Sequence, residues 1–236
     1  MYSKLKIFDK LIIGLFFFLF HCFNNYAEEF WEHIPGPNCG YINNIEISNE
    51  GEIYTLTNGL YLFVNESKYW DLLSDNNFIN FPQGLAVNYK GHVYTTSTNI
   101  SINNILFLHI STDKGKTWSK IEIGNESESI RQIKVNNNND IFILMTSYVK
   151  KITIDDQNNI KVERIKPDNS VSQFFDIEIS KENNIYITSK NNIYRSMDNG
   201  ENWYKIKFTF NTSYSLNTYV SENGTIFAIS DLGKVW

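Results

Sequence analysis

Five copies of a two-strand signature, spaced 40 to 48 residues apart, and the lack of any convincing helical periodicity predict an all-β fold. Four short strands fill such a period, so the expected architecture is a β-propeller with four-stranded blades, about five in number. The first copy runs from Ile45-Glu46-Ile47-Ser48 into Ile53-Tyr54, and the second from Leu85-Ala86-Val87-Asn88 into Val93-Tyr94. The series continues with Ile133-Lys134-Val135 into Ile141-Phe142, Ile177-Glu178-Ile179-Ser180 into Ile185-Tyr186, and Tyr219-Val220-Ser221 into Ile226-Phe227. Apolar residues two apart put one face of each strand into a core. The turns between them, such as Asn49-Glu50-Gly51 and Glu222-Asn223-Gly224, carry the Asn and Gly that hairpins favour.

The remaining strands follow in order. Third strands are expected at Leu60 to Val64, Ile105 to Ile110, Tyr148 to Ile154, Ile193 to Arg195 and Lys234 to Trp236. Fourth strands are expected to begin at Trp31, Trp70 and Trp118, near Val162, and at Trp203. Trp31-Glu32-His33-Ile34 reads as a fourth strand without the three before it, and Lys234-Val235-Trp236 as a third strand without a fourth. Two readings stay open. Either these fragments complete one blade of a closed five-blade ring, or the chain is a truncated larger propeller.

Residues 1–27 are expected to be a signal peptide and residues 28–236 the propeller domain. Lys4, Lys6 and Lys10 precede the apolar run Leu11 to Phe20, which is too short for a comfortable membrane span, and Ala27 offers a small residue for cleavage. The expected location is secreted, periplasmic or at the cell surface. Membrane contact is expected only through an uncleaved N-terminus or a lipid on Cys22. Removing the leader takes three lysines and one aspartate with it and moves the net charge from −5 to −7. So acidic a chain gives no electrostatic case for nucleic acid. Cleavage would leave Cys39 alone, and no Cys/His spacing suits a metal; neither metal nor cofactor is expected.

Two stretches stand out from the repeat. Ser111-Thr112-Asp113-Lys114-Gly115-Lys116-Thr117-Trp118 and Ser196-Met197-Asp198-Asn199-Gly200-Glu201-Asn202-Trp203 both read Ser-x-Asp-x-Gly-x-x-Trp. The Asp side chain is expected to accept backbone N–H bonds two residues on, Gly to take a positive φ, and Trp to restart the next strand on a large apolar face. Asn65-Glu66-Ser67-Lys68-Tyr69-Trp70 is a decayed copy, and Asp155-Asp156-Gln157-Asn158-Asn159 keeps the turn chemistry without the Trp. The pattern resembles the Asp-box, or bacterial neuraminidase repeat, of sialidase-like β-propellers. The resemblance implies a structural hairpin between the two outer strands of a blade, remote from any active site. It assigns structural roles to Ser111, Asp113, Gly115, Trp118, Ser196, Asp198, Gly200 and Trp203.

Propellers of this kind generally bind ligands at one mouth of the channel, on loops leading from an outer strand to the next inner strand. Those loops, roughly 35–44, 73–84, 124–132, 166–176 and 209–218, carry the candidate ligand-binding residues Tyr41, Asp75, Phe81, Arg131, Asp168, Phe175, Asp176 and Tyr214. Aromatics beside carboxylates suit a glycan, a peptide or a protein partner. A sialidase, as the resemblance has it, needs three clustered arginines, a Tyr–Glu nucleophile pair and an Asp acid/base. This chain has only Arg131, Arg164 and Arg195, two of them expected on outer strands. His109 sits in the apolar strand Leu106-Phe107-Leu108-His109-Ile110 and reads as a strand residue rather than a base. No catalytic residue is assigned. The expected function is an exported non-catalytic binding or scaffold propeller, with a glycoside hydrolase of the sialidase-like type, or an inactive remnant of one, as the alternative.

Overall fold

Every strand copy that the described residues contain folds into a sheet with its own neighbours in sequence. The computed structural model describes residues 36–37, 41–74, 82–99, 103–125, 127–190, 192–206, 216–221 and 224–230. The expected leader, Trp31 to Ile34 and Lys234 to Trp236 lie outside them. The first sheet comprises β1 (Asn44–Ile47), β2 (Ile53–Leu56), β3 (Leu60–Val64) and β4 (Tyr69–Leu72). The second comprises β5 (Pro82–Val87), β6 (Val93–Asn99), β7 (Ile105–Ser111) and β8 (Ser119–Asn125). The third holds β9 (Ile130–Val135), β10 (Ile141–Met145), β11 (Val149–Ile154) and β12 (Ile160–Ile165). The fourth holds β13 (Phe174–Ile179), β14 (Ile185–Ser189), β15 (Asn192–Ser196) and β16 (Tyr204–Ile206). A fifth sheet shows two described strands, β17 (Leu216–Val220) and β18 (Ile226–Ser230). All are antiparallel meanders in sequence order, and no helix occurs among the described residues. The architecture is an all-β propeller of about five blades within Pro37–Trp236.

Packing follows from strand alternation, because the apolar residues of one sheet face the next sheet. Tyr54, Leu56 and Leu60 meet Leu85 and Val93 between the first and second sheets. Leu106, Leu108 and Ile123 meet Ile133, Ile141 and Ile143 between the second and third. Phe142, Leu144 and Val149 meet Phe174, Ile177 and Ile187 between the third and fourth, and Tyr186 and Ile193 meet Ala228 beyond them. Each Leu, Ile, Val or Phe among them contributes about 1.5–3 kcal/mol when fully buried. The first strands β1, β5, β9, β13 and β17 lie side by side in that order and line the axis.

Polar links repeat beside the axis at equivalent strand positions. Asn44 Nδ2 donates to Leu85 O at 3.1 Å, Gln132 Oε1 accepts from Ile177 N at 3.0 Å, and Asp176 Oδ2 accepts from Thr218 N at 2.5 Å. The second blade has Gly84 at that position, at φ +74°, where a Cβ would stand 3.0 Å from Ile133 Cγ2. The missing side chain there lets the third blade approach.

The first turn of each blade is capped by its leading Ser or Asn. Ser48 Oγ accepts from Glu50 N and Glu52 N, Asn88 Oδ1 from Lys90 N and His92 N, and Asn136 Oδ1 from Asn138 N and Asp140 N. Ser180 and Ser221 accept from Asn184 N and Thr225 N in the same way. The residue three positions after each cap takes a positive φ: Gly51, Gly91, Asn139, Asn183 and Gly224. That is why only Gly and Asn occupy this position.

The two Ser-x-Asp-x-Gly-x-x-Trp turns share one geometry. Ser111 Oγ accepts from Gly115 N at 2.7 Å and donates to Asp113 Oδ1 at 2.8 Å, and Trp118 Nε1 donates to Gly115 O at 3.0 Å. Ser196, Asp198, Gly200 and Trp203 repeat these bonds at 2.8–3.0 Å. The Asp acceptor reaches four residues on, not two: Thr117 N donates to Asp113 Oδ1, and Asn202 N to Asp198 Oδ1, both at 2.8 Å. The Ser hydroxyl has already taken the Gly amide two residues beyond the Asp, as well as the Asp's own. In the third blade Asp155 keeps the same four-residue reach to Asn159 N at 2.8 Å without any Trp.

These turns also join blades. Lys114 pairs with Glu50 at 2.7 Å and with Glu52, both in the first turn of the preceding blade. Asn199 Nδ2 donates to Asp140 at 2.7 Å, and its Oδ1 accepts from Asn136 Nδ2 at 3.0 Å. The bonds from the Thr117 hydroxyl and amide, and then from Ser111, hold the Asp113 carboxyl down at about 2. A carboxyl lowered on folding stabilises above its unfolded value and loses that contribution as pH falls through the folded one. Asp113→Ala is therefore expected to lower the thermal midpoint at about pH 7, and the gap from the parent should close as pH falls toward about 2. Melting curves across that range check it; equal midpoints at neutral pH would remove the capping role.

Candidate functional site

The meander places the fourth-to-first loops at one end of the channel and the first turns at the other. At the loop end, Arg131 in β9 and Phe175 in β13 come together, the guanidinium carbon 5.5 Å from the ring centre. Phe175 lines a cleft of about 210 Å³ with Ser170, Val171, Gln173, Lys190 and Asn192. Asp168 borders this region but is engaged, accepting from Ser170 N at 2.8 Å, Ser170 Oγ at 2.6 Å and Tyr194 Oη at 3.0 Å. Those bonds, the Ser170 ones foremost, hold its carboxyl below the usual range. Asp176 is buried, and its Oδ2 takes both the amide and the hydroxyl of Thr218. Tyr41 stands ahead of β1, 91% exposed and outside the cleft lining. Asp75, Phe81 and Tyr214 lie outside the described residues.

The three arginines stand on three different rings. Arg131 covers Phe175, Arg164 lies 3.6 Å over Tyr148, and Arg195 lies 5.8 Å from Tyr186. His109 is fully buried with Nε2 2.8 Å from Ser97 Oγ. Burial, helped by Lys120, pushes its imidazole down to about 4, so it is neutral at ordinary pH. That position suits a strand residue.

Two features beside the axis escaped sequence reasoning. Lys134 Nζ lies 3.1 Å from Glu178 and 3.7 Å from Glu46, each side chain about one-fifth exposed, joining the first, third and fourth blades. Burial raises the Glu46 and Glu178 carboxyls against the pull of Lys134. Burial works to lower the Lys134 value, but Glu46 and Glu178 outweigh it and the ammonium is held above its ordinary range. The second feature is a cavity of about 600 Å³ at the turn end, lined by Asn49, Tyr89, Asn137, Lys181, Tyr219 and Ser221. A register was the available signal. Aligning the five copies puts Glu46, Ala86, Lys134, Glu178 and Tyr219 at one level, and Asn49, Tyr89, Asn137 and Lys181 at another.

No family model and no curated protein sequence matches this chain. Its fold is similar to that of several solved structures. Virginiamycin B lyase from Staphylococcus aureus is 16% identical, with a TM-score of 0.62 over 86% of this chain and 70% of that one. A structure described as YCF48 bound to D1 peptide is 16% identical, with a TM-score of 0.63 over 87% of this chain and 67% of that one. A GH74 enzyme from Niastella koreensis is 16% identical, with a TM-score of 0.63 over 86% of this chain and 38% of that one. What these proteins share with the chain is the β-propeller scaffold. They include enzymes and a peptide-bound protein, so the scaffold itself does not select a chemistry.

Proposed function

We propose that this chain is an exported, non-catalytic binding propeller that takes a peptide segment of a protein partner at the loop end of its channel. The observation that carries the reading is the Arg131–Phe175 pair beside the cleft at Ser170 to Gln173. It offers a cation and an aromatic face to an acidic or aromatic peptide side chain. Asp168 and Asp176, the two candidate carboxylates among the described residues, are engaged with backbone and hydroxyl groups, which leaves them poorly suited to act as a glycosidase pair. The dispersal of the three arginines argues against sialidase chemistry. The peptide-bound neighbour supports the kind of partner, and the basic-then-apolar leader supports export. In this reading the Ser-x-Asp-x-Gly-x-x-Trp turns are Asp-boxes serving as blade clamps.

A peptide array probed with the full chain tests this. Selective binding is expected, weakened about tenfold by Arg131→Ala or Phe175→Ala. Hydrolysis of aryl glycosides that disappears in Asp168→Asn would overturn the non-catalytic reading.

A further inference from the structure

The cavity at the turn end lies across the channel from the peptide cleft and has its own chemistry. Its rim is built and already bonded. Asn49 Nδ2 donates to Tyr89 O at 3.1 Å, and Asn137 Nδ2 donates to Lys181 O at 2.7 Å, each tying one blade's turn to the next. Asn137 N is held by Asn183 Oδ1 at 2.9 Å. Main-chain groups at the rim are thus largely spent on the turns and their links. Lys134, reaching across to Glu46 and Glu178, ties three inner strands together close by. A peptide that binds by adding a strand needs free main-chain N–H and C=O groups, and Tyr89 O, Asn137 N and Lys181 O at this rim are already engaged.

What faces the cavity is a set of side chains. Tyr89 and Tyr219 are 48% and 58% exposed on different blades. Tyr219 is propped by Phe227, ring centres 6.3 Å apart, and Lys90 lies 5.5 Å from the Tyr89 ring centre. With one N–H of each side-chain amide bonded to a neighbouring turn, Asn49 and Asn137 keep carbonyl oxygens to offer as acceptors. The tyrosine hydroxyls and the Lys181 ammonium add donors. A cavity of about 600 Å³ with two tyrosine rings, acceptors and donors in its lining matches a ring that is apolar on its faces and hydroxylated around its edge.

We propose that the turn-end cavity is a saccharide site, taking one or two pyranose rings stacked on Tyr89 or Tyr219 with hydroxyls bonded to Asn49, Asn137 and Lys181. This site is separate from the peptide cleft and stands or falls independently of it.

A glycan array of plant, fungal, bacterial and animal saccharides, probed with the full chain, provides the test, with the strongest-binding saccharide then titrated by calorimetry. Binding is expected to fall about tenfold in Tyr89→Ala and in Tyr219→Ala, and to survive Tyr→Phe at either position within a few-fold. Arg131→Ala should leave it unchanged. Both tyrosines are half exposed, so the variants are expected to fold; Lys181→Ala supplies a second readout with a weaker loss. No binding anywhere on the array, or saccharide binding that persists in both alanine variants, would overturn the proposal. Binding abolished by Arg131→Ala alone would overturn it too and move the saccharide to the loop end.

Discussion

Lys134→Met is expected to lower folding stability by about 3 kcal/mol near pH 8, because it leaves two carboxylates facing each other beside the axis with no cation between them. The parent tolerates the arrangement since Lys134 lies 3.1 Å from Glu178 and 3.7 Å from Glu46, with each group about one-fifth exposed. The pH dependence follows from the raised carboxyls. Glu46 and Glu178 both sit above their ordinary 4.5 in the folded state, so the fold retains protons that the unfolded chain has released. Their contribution is therefore most favourable at low pH and is lost as pH rises through the folded values. Without Lys134 both values climb further. The variant's deficit should be largest at about pH 8 and shrink toward about pH 4 as a carboxyl takes up a proton. Adding Glu178→Gln to Lys134→Met removes the repulsion and should recover part of the loss. Urea titrations at the two pH values read all three effects. A deficit that grows on acidification would show that the triad does not hold these blades.

That triad shows what the sequence left illegible. The five signatures, their turns and all described third and fourth strands were readable because period-two apolar alternation and Gly/Asn turns are local. The pairing of Lys134 with glutamates 88 residues before and 44 residues after it is not local. It appears only once the copies are set in register around an axis. The same limit affected the site. Asp168 and Asp176 looked like ligand groups because loop carboxylates usually face water. In the fold, Asp168 closes its own turn and Asp176 holds the middle of the next blade's inner strand at Thr218. Arg131 and Phe175 were expected on the same mouth and do meet. The turn-end cavity was missed because its tyrosines fall at strand and turn positions that read as ordinary hairpin residues. The motif turns were legible as local structure, but their second role, gripping the preceding blade through Lys114 and Asn199, needed the neighbour.

Gly115→Ala separates those two roles. Gly115 sits at φ +89°, and a Cβ there would stand 2.5 Å from Leu73 Cδ1 and 3.1 Å from Leu73 Cδ2 and Cγ. Two costs are expected: about 1–2 kcal/mol for a side chain in a left-handed conformation, and about 1–3 kcal/mol for overpacking against the preceding blade. Gly51→Ala is the matched control, since Gly51 has φ +85° and nothing within 4 Å of the added Cβ. It should show the conformational cost alone. Pairing Gly115→Ala with Leu73→Ala relieves the crowding but leaves the backbone cost, so the double-mutant cycle should return a favourable coupling of about 1 kcal/mol or more. Equal losses for Gly51→Ala and Gly115→Ala, with no coupling to Leu73, would reduce the motif glycine to a turn residue. Unequal losses with coupling would make it the contact through which one blade seats on the next. Gly200, whose Cβ would stand 2.8 Å from Ile165 Cδ1, should then behave in the same way between the third and fourth blades.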